Sequence, residues 1–207
     1  MPAPSLLLAS SSPRRQELLR AAGFTFGIAA PNIREKADPH LTAREVTAWN
    51  AMRKGLVIAR AHPDSVVLAA DTVVALGPEI IGKPNDLEDA VRILRRLTGR
   101  THHVYSSVFV AQFSVANAKM FCEISEVRFR KLNETQIRNY LEKINPLDKA
   151  GGYAAQGHGA EIIAKIEGSY SNVVGLPMEK TVLMLEQFGV QPAKGPDRRT
   201  KESDRSG

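Results

Sequence analysis

Four short segments carry residues whose types and spacing suit phosphate chemistry. The first is Ser10-Ser11-Ser12-Pro13-Arg14-Arg15, a hydroxyl-rich turn that runs into two arginines. The apolar run Ser5 to Ala9 before it reads as a short buried strand, and helically spaced apolar residues follow it to Ala22. Ser12 fits an N-cap, Pro13 the first helical position and Gly23 the stop. A helix N-terminus gathers free N–H groups and the positive end of the dipole, so an anion is favoured there. Two first-turn arginines oppose that dipole, and phosphate oxygens held by their guanidinium forks would offset the cost. A plain N-cap followed by two solvated arginines is the alternative reading of the same residues.

The second segment is Ala69-Ala70-Asp71-Thr72. A carboxylate directly after the buried run Val66 to Ala70 is expected at the carboxyl end of a strand, where open α/β sheets bind ligands. Asp71 there suits a divalent cation or a general base on water, or else caps a turn. The third is Gly82-Lys83-Pro84, which lacks the spacing of a phosphate-binding P-loop; Lys83 reaches a phosphate as a point charge or is a surface lysine. The fourth is Gly151-Gly152-Tyr153-Ala154-Ala155-Gln156-Gly157-His158-Gly159, whose glycines imply special backbone angles or close approach to a ligand. The Gln156 amide donates and accepts, which suits a base edge; a purely structural loop is the alternative. Ile162 stands where a dinucleotide fingerprint needs its third glycine.

The elements that must position these segments follow from pattern. Thr42 and Glu45 form a capping box for a helix to about Ala61. A hairpin-like turn at Gly77-Pro78 separates Val73–Leu76 from Ile80-Ile81. Asn85 and Glu88 pair as a cap for a helix to Leu97, with Gly99 after it. His103 to Val115 and Lys119 to Arg130 read as antiparallel strands, and Asn133 with Gln136 caps a helix through Lys143. Glu161 to Ile166 reads as a strand, and Pro177 opens a last helix through about Phe188. Early alternation followed by a β-rich middle predicts an α/β fold with a mixed sheet.

Composition excludes several classes. With 207 residues, 43% apolar and 24% charged, the chain is not disordered, collagenous or a coiled coil. A single cysteine, Cys122, excludes an internal disulfide framework and a multi-cysteine zinc site, and fits a reducing compartment. The five histidines His40, His62, His102, His103 and His158 lack zinc-ligand spacing and read as structural or exposed. No apolar run is long enough to span a membrane, and the opening Met1 to Ser12 does not read as a secretory signal, so a cytoplasmic setting is expected. The net charge is +6, of which the polar stretch 193–207 carries +2. Residues 193–207 are expected to form a disordered basic tail after one domain spanning 1–192. The domain itself has no Lys/Arg run or aromatic ladder, which argues against nucleic acid as main partner.

Taken together, LLLASSSPRRQELLRAAG, VLAADTVVALGPEIIGKP, LTGRTHHVYSSV and PLDKAGGYAAQGHGAEIIAKIEGSYSNVVGLP resemble the Maf family of nucleoside triphosphate pyrophosphatases. The blocks run in family order from residue 5 to about 190. The resemblance implies an ITPase-like mixed, twisted sheet with flanking helices and two lobes around a nucleotide-binding cleft. It implies hydrolysis of a nucleoside triphosphate between its α- and β-phosphates, a divalent cation (Mg²⁺ or Mn²⁺) and a homodimer. Asp71 takes the place of the general base and metal ligand, and Glu35 that of its acidic partner near the metal. Lys54 and Lys83 fall on phosphate-binding positions, and Ser10, Arg14 and Arg15 on the triphosphate loop. Lys54 lies in Asn50-Ala51-Met52-Arg53-Lys54-Gly55, which departs from the usual Leu-Ala-x-x-Lys-Ala and is placed mainly by spacing.

Arg14, Thr72 and Gln156 resemble the branch that takes dTTP and UTP, with modified pyrimidine nucleotides as further expected substrates. The sister branch, acting on 7-methyl-GTP, has a bulky residue after Ser-Pro, Gln after the Asp and Glu in place of this Gln. The same reaction on 7-methyl-GTP or a deaminated purine, and a non-catalytic role in septum formation, are the competing expectations. Four cations and two carboxylates in these roles leave a net +2, so a divalent cation is needed to balance a triphosphate of about −4.

Overall fold

In a computed structural model of the chain, strand β1 (Leu6–Leu8) leads into helix α1 (Pro13–Ala21), followed by the two-residue strand β2 (Gly27–Ile28). The structure describes residues 4–35, 38 and 40–193; of the tail expected at 193–207, Ala193 N donates to Gly23 O at 2.8 Å and 194–207 lie outside the described residues. Helix α2 (Ala43–Ala61) opens on the expected capping box: Thr42 N donates to Glu45 Oε2 at 2.8 Å and Glu45 N to Thr42 Oγ1 at 3.3 Å. Strand β3 (Val66–Leu76) turns at Gly77 and Pro78 into β4 (Glu79–Ile81), as expected. Helix α3 (Leu87–Leu97) is capped one residue later than expected. Asp86 accepts from Asp89 N at 2.7 Å, while Asn85 donates to Asp89 from its own amide groups.

Strands β5 (Thr101–Gln112) and β6 (Asn117–Phe129) are long antiparallel partners joined through a 3₁₀ turn at Phe113–Val115. Helix α4 (Glu134–Leu141) starts on the expected Asn133–Gln136 box. A 3₁₀ turn (Ala150–Gly152), the single-turn helix α5 (Gly159–Ile162), strand β7 (Ile163–Glu167), helix α6 (Tyr170–Val174) and helix α7 (Met178–Gln187) complete the chain. The stretch 161–166, expected as one strand, divides between α5 and β7.

The sheet runs β2-β1-β3-β5-β6-β7, with β4 beside β3. β1 is parallel to β2 and β3 and the other pairs are antiparallel, so the sheet is mixed as the pattern predicts. Side chains alternate across it. On one face Leu6, Leu8, Leu68 and Val110 pack with Leu19 of α1 and Leu185 of α7. On the other, Val67, Ala69 and Phe109 pack with Ala51, Ile58 and Ala59 of α2. Further along the same strands Val74, Val104 and Val127 build a separate core with Leu94 of α3 and Ile137 of α4. The long strands β3 and β5 thus join two packed halves.

Asp71 lies at the join, which corrects one expectation. The strand does not end before Asp71 but carries it at its centre. β1 pairs with β3 over Val66–Leu68 and β4 over Val74–Leu76, so between them β3 has a strand neighbour, β5, on one side only. This gap in the sheet edge, rather than a strand end, lets Asp71 and Thr72 reach a cleft.

Candidate active site

Asp71 continues the odd-numbered face of β3 that packs on α2. Asn50 and Lys54, four residues apart and therefore on one side of that helix, both meet it. Lys54 Nζ donates to Asp71 Oδ1 at 2.6 Å, and Asn50 Nδ2 to Asp71 Oδ2 at 3.3 Å. The same ammonium donates to Glu35 Oε1 at 2.6 Å, and Lys83 Nζ stands 3.7 Å from Glu35 Oε2. Burial pushes the Asp71 carboxyl above the usual aspartate range, with the Lys54 ammonium opposing it. For Glu35 burial also works upward, but Lys54, with Lys83 and Arg15 beyond, outweighs it and holds the carboxyl below its ordinary range.

Thr72 continues the even-numbered face and meets α1. Arg15 donates from Nε to Gly175 O at 2.9 Å, from Nη1 to Ser10 Oγ at 3.2 Å and from Nη2 to Thr72 Oγ1 at 3.1 Å. Its burial lowers the guanidinium pKa, with Asp71 and Glu35 opposing. Gly175 ends α6 at φ +126°, a conformation that favours glycine, and this turns its carbonyl toward Arg15. Arg14 is held by Asp148, with Nη1 2.9 Å from Oδ2 and Nη2 3.3 Å from the carbonyl oxygen. Ser12 occupies the N-cap of α1 as expected, but its side chain makes no capping bond; Ser12 N instead donates to Ser10 Oγ at 3.2 Å. The first-turn N–H groups are left for another acceptor.

The glycine-rich loop borders the cleft opposite α1. Gly151 and Gly152 have φ of +72° and +68°, and Gly151 N donates to Gly82 O at 2.9 Å, which ties this loop to the one carrying Lys83. Ala154 is pinned from both sides by Tyr140: its N donates to the Tyr140 hydroxyl at 3.0 Å, and that hydroxyl donates to Ala154 O at 3.1 Å. Tyr153 turns inward between His102 and Phe129, with its hydroxyl 2.9 Å from His102 Nε2. The loop is therefore structural along its first half and presents Gln156 to the cleft in its second.

All nine residues expected from sequence border one cavity of about 530 Å³: Ser10, Arg14, Arg15, Glu35, Lys54, Asp71, Thr72, Lys83 and Gln156. That volume is ordinary for a nucleotide-sized ligand. Lys54 differs most from expectation, because its ammonium sits between two carboxylates. Asp148 and Tyr153 also border the cavity, and Asn50 touches Asp71; sequence reasoning gave none of them a role. The quoted PLDKAGGY block contained the first two.

No group of three or more His, Cys, Asp or Glu side chains placed to hold a metal occurs among the described residues. The donor set nonetheless fits a hard divalent cation. Glu35 and Asp71 are close enough to share one ammonium, and Mg²⁺ characteristically takes one or two carboxylates with phosphate oxygens and water.

No helix among the described residues is long and apolar enough to cross a membrane. Comparison with known proteins gives a consistent assignment. A dTTP/UTP pyrophosphatase of Bacillus pumilus is 44% identical over 187 residues, 90% of this chain and 98% of that protein. One of Symbiobacterium thermophilum is 44% identical over 184 residues, 89% of this chain and 94% of that protein. A solved HAM1 protein from Coxiella burnetii overlaps 61% of this chain and 73% of its own at 18% identity and a TM-score of 0.42, too slight a likeness to argue from. The family described as Maf-like protein matches residues 5–188, and the chain belongs to that family.

Proposed function

We propose that the protein is a nucleoside triphosphate pyrophosphatase that hydrolyses dTTP and UTP, and modified pyrimidine nucleotides, to the monophosphate and pyrophosphate. One observation carries the reading: a buried carboxylate, Asp71, lines one cavity together with the cations Arg14, Arg15 and Lys83. The relatives' activity and the branch residues Arg14, Thr72 and Gln156 support the choice of substrate.

Asp71 serves as the base. Burial raises its proton affinity, and Lys54 and Asn50 fix its orientation. It takes a proton from water. The water oxygen bonds to a phosphorus flanking the α–β bridge, and the electrons of the breaking bridge bond leave on the departing phosphate. Arg14, Arg15, Lys83 and the open N–H groups of α1 neutralise the charge that develops on the phosphate oxygens. Glu35 and Asp71 would hold a divalent cation, which when bound polarises phosphate oxygens as a Lewis acid. Gln156 reads the base edge with its amide. A wrong base leaves that amide unpaired, which is the costly outcome.

The experiment is product analysis on a panel of triphosphates with Mg²⁺ or Mn²⁺. Equal amounts of monophosphate and pyrophosphate from dTTP and UTP, in preference to 7-methyl-GTP and deaminated purine nucleotides, support the reading. Release of orthophosphate, or no turnover of any triphosphate, contradicts it. The homodimer and the cytoplasmic setting belong to the same proposal, supported by family membership and, for the second, by the lone cysteine. Sedimentation and cell fractionation test them.

A further inference from the structure

Arg15 is tied into the protein on three sides, and two of those ties lead to the same short helix. Its Nε donates to Gly175 O directly after α6, at 2.9 Å, and its Nη2 donates to Thr72 Oγ1 at 3.1 Å. Ser106 stands opposite Thr72 in the β3–β5 register and is fully buried. Ser106 Oγ also stands 3.2 Å from Asn172 O on α6, an acceptor for its proton. Thr72 Oγ1 lies 2.9 Å from Ser106 Oγ, where either hydroxyl can donate, and 3.3 Å from Gly175 O, which can only accept. The hydroxyls of Thr72 and Ser106 thus link Arg15 to the backbone at Asn172 on α6 and at Gly175 directly after it. Asn172 is fully buried and fixes the far end by donating its amide to Val104 O at 3.1 Å and Ser125 Oγ at 2.9 Å. Within this ring the Thr72 hydroxyl accepts from Arg15 and has Gly175 O or Ser106 Oγ to take its own proton, so that proton is not available to a nucleobase.

We infer that Ser106, acting through Thr72, is a positioning residue for the Arg15 guanidinium, and that the Thr72 hydroxyl serves the triphosphate rather than the base. The inference rests on the nucleotide-hydrolase reading and refines it. Arg15 has five N–H donors, and three of them are spent on holding it in place. A long side chain held in this way loses little further freedom when phosphate arrives, which is how a preorganised site gains affinity. Thr72 thus differs from Gln156 in what it recognises, although both mark the same branch.

The test compares wild type with Thr72→Val, Thr72→Ser and Ser106→Ala in the full chain. Steady-state kinetics are measured with dTTP, UTP and CTP, and binding of inorganic tripolyphosphate with Mg²⁺ is measured by calorimetry. Thr72→Val and Ser106→Ala are expected to raise KM for all three nucleotides by one common factor, roughly three- to tenfold for one hydrogen bond. They should weaken tripolyphosphate by a similar factor and move kcat less, and Thr72→Ser should restore both. Unchanged tripolyphosphate affinity with an altered order of bases would overturn the inference, since Thr72 would then read the base. Wild-type kinetics and affinity in Ser106→Ala would overturn it as well. Should Ser106→Ala melt below the assay temperature, Ser106→Cys, similar in size but a weak acceptor, carries the same expectation. Failure of the hydrolase reading is distinct: wild type would then release no pyrophosphate, whereas tripolyphosphate binding is read without turnover.

Discussion

Lys54 Nζ lies 2.6 Å from Asp71 Oδ1, and the two residues are 8% and 5% exposed. A buried ion pair offsets its desolvation only with good geometry and further partners for both ions. Here Asn50 takes the second Asp71 oxygen and Glu35 takes the same ammonium. The pairing works against burial on Asp71 without cancelling it. The carboxylate is thus oriented, yet binds a proton more readily than a free one, as a base acting on water requires.

Gly55 allows α2 to bring Lys54 this close. A Cβ on Gly55 would lie 2.3 Å from Phe109 Cδ1, so Phe109 fills the volume that an alanine side chain would otherwise occupy. Gly55→Ala is expected to lower stability by about 1–3 kcal/mol through overpacking, despite the better helix propensity of alanine. Phe109→Leu in the same chain should recover much of the loss. Urea unfolding of the two single variants and the double variant checks this, and additive losses would contradict it.

The departure at Asn50–Gly55 shows where sequence was informative and where it was not. Local signals are legible: the Thr42–Glu45 and Asn133–Gln136 boxes and the Gly77-Pro78 turn follow from neighbours a few residues apart, and the mixed sheet from the order of elements along the chain. The five-residue α6 and two-residue β2 carry no periodic signal and were missed. Asp71 was expected at a strand end because a charge after an apolar run looks like a boundary. Only the pairing of β1 and β4 on either side of it shows that the strand continues. Ser106 and Asn172 were invisible as site residues, since their partners lie 34 and 66 residues away in the chain.

Arg14 and Asp148 form an ion pair across the cavity mouth, with side chains 24% and 44% exposed. Exposed pairs of this kind contribute about 0.2–1 kcal/mol, and a phosphate must displace Asp148 to engage the full fork. Asp148→Asn is therefore expected to lower KM for dTTP about two- to threefold, with kcat nearly unchanged. A rise in KM would show that Asp148 presents Arg14 to the nucleotide rather than competing for it.

His102 is fully buried, and burial lowers its pKa from 6.5 to about 4, with His103 adding to the shift. The unfolded chain takes up this proton near pH 6.5, and the folded one only near pH 4. The stability that goes with the neutral ring is present above the unfolded pKa and is lost as pH falls toward the folded one. The loss is about 1.4 kcal/mol per pH unit, roughly 3 kcal/mol in all. His102→Gln keeps a polar group near Tyr153 and does not titrate. Unfolding free energies measured from pH 7 to 4.5 should fall more steeply with acid in wild type than in the variant, and parallel curves would contradict the assignment.

The most direct test of the central claim is pyrophosphate release from dTTP and UTP with Mg²⁺ by wild type and by Asp71→Asn. The substitution keeps the shape of the side chain and removes its ability to take a proton. A folded variant with kcat reduced about 10²-fold or more is the predicted result. A folded variant that turns over either nucleotide at the wild-type rate would show that the base lies elsewhere.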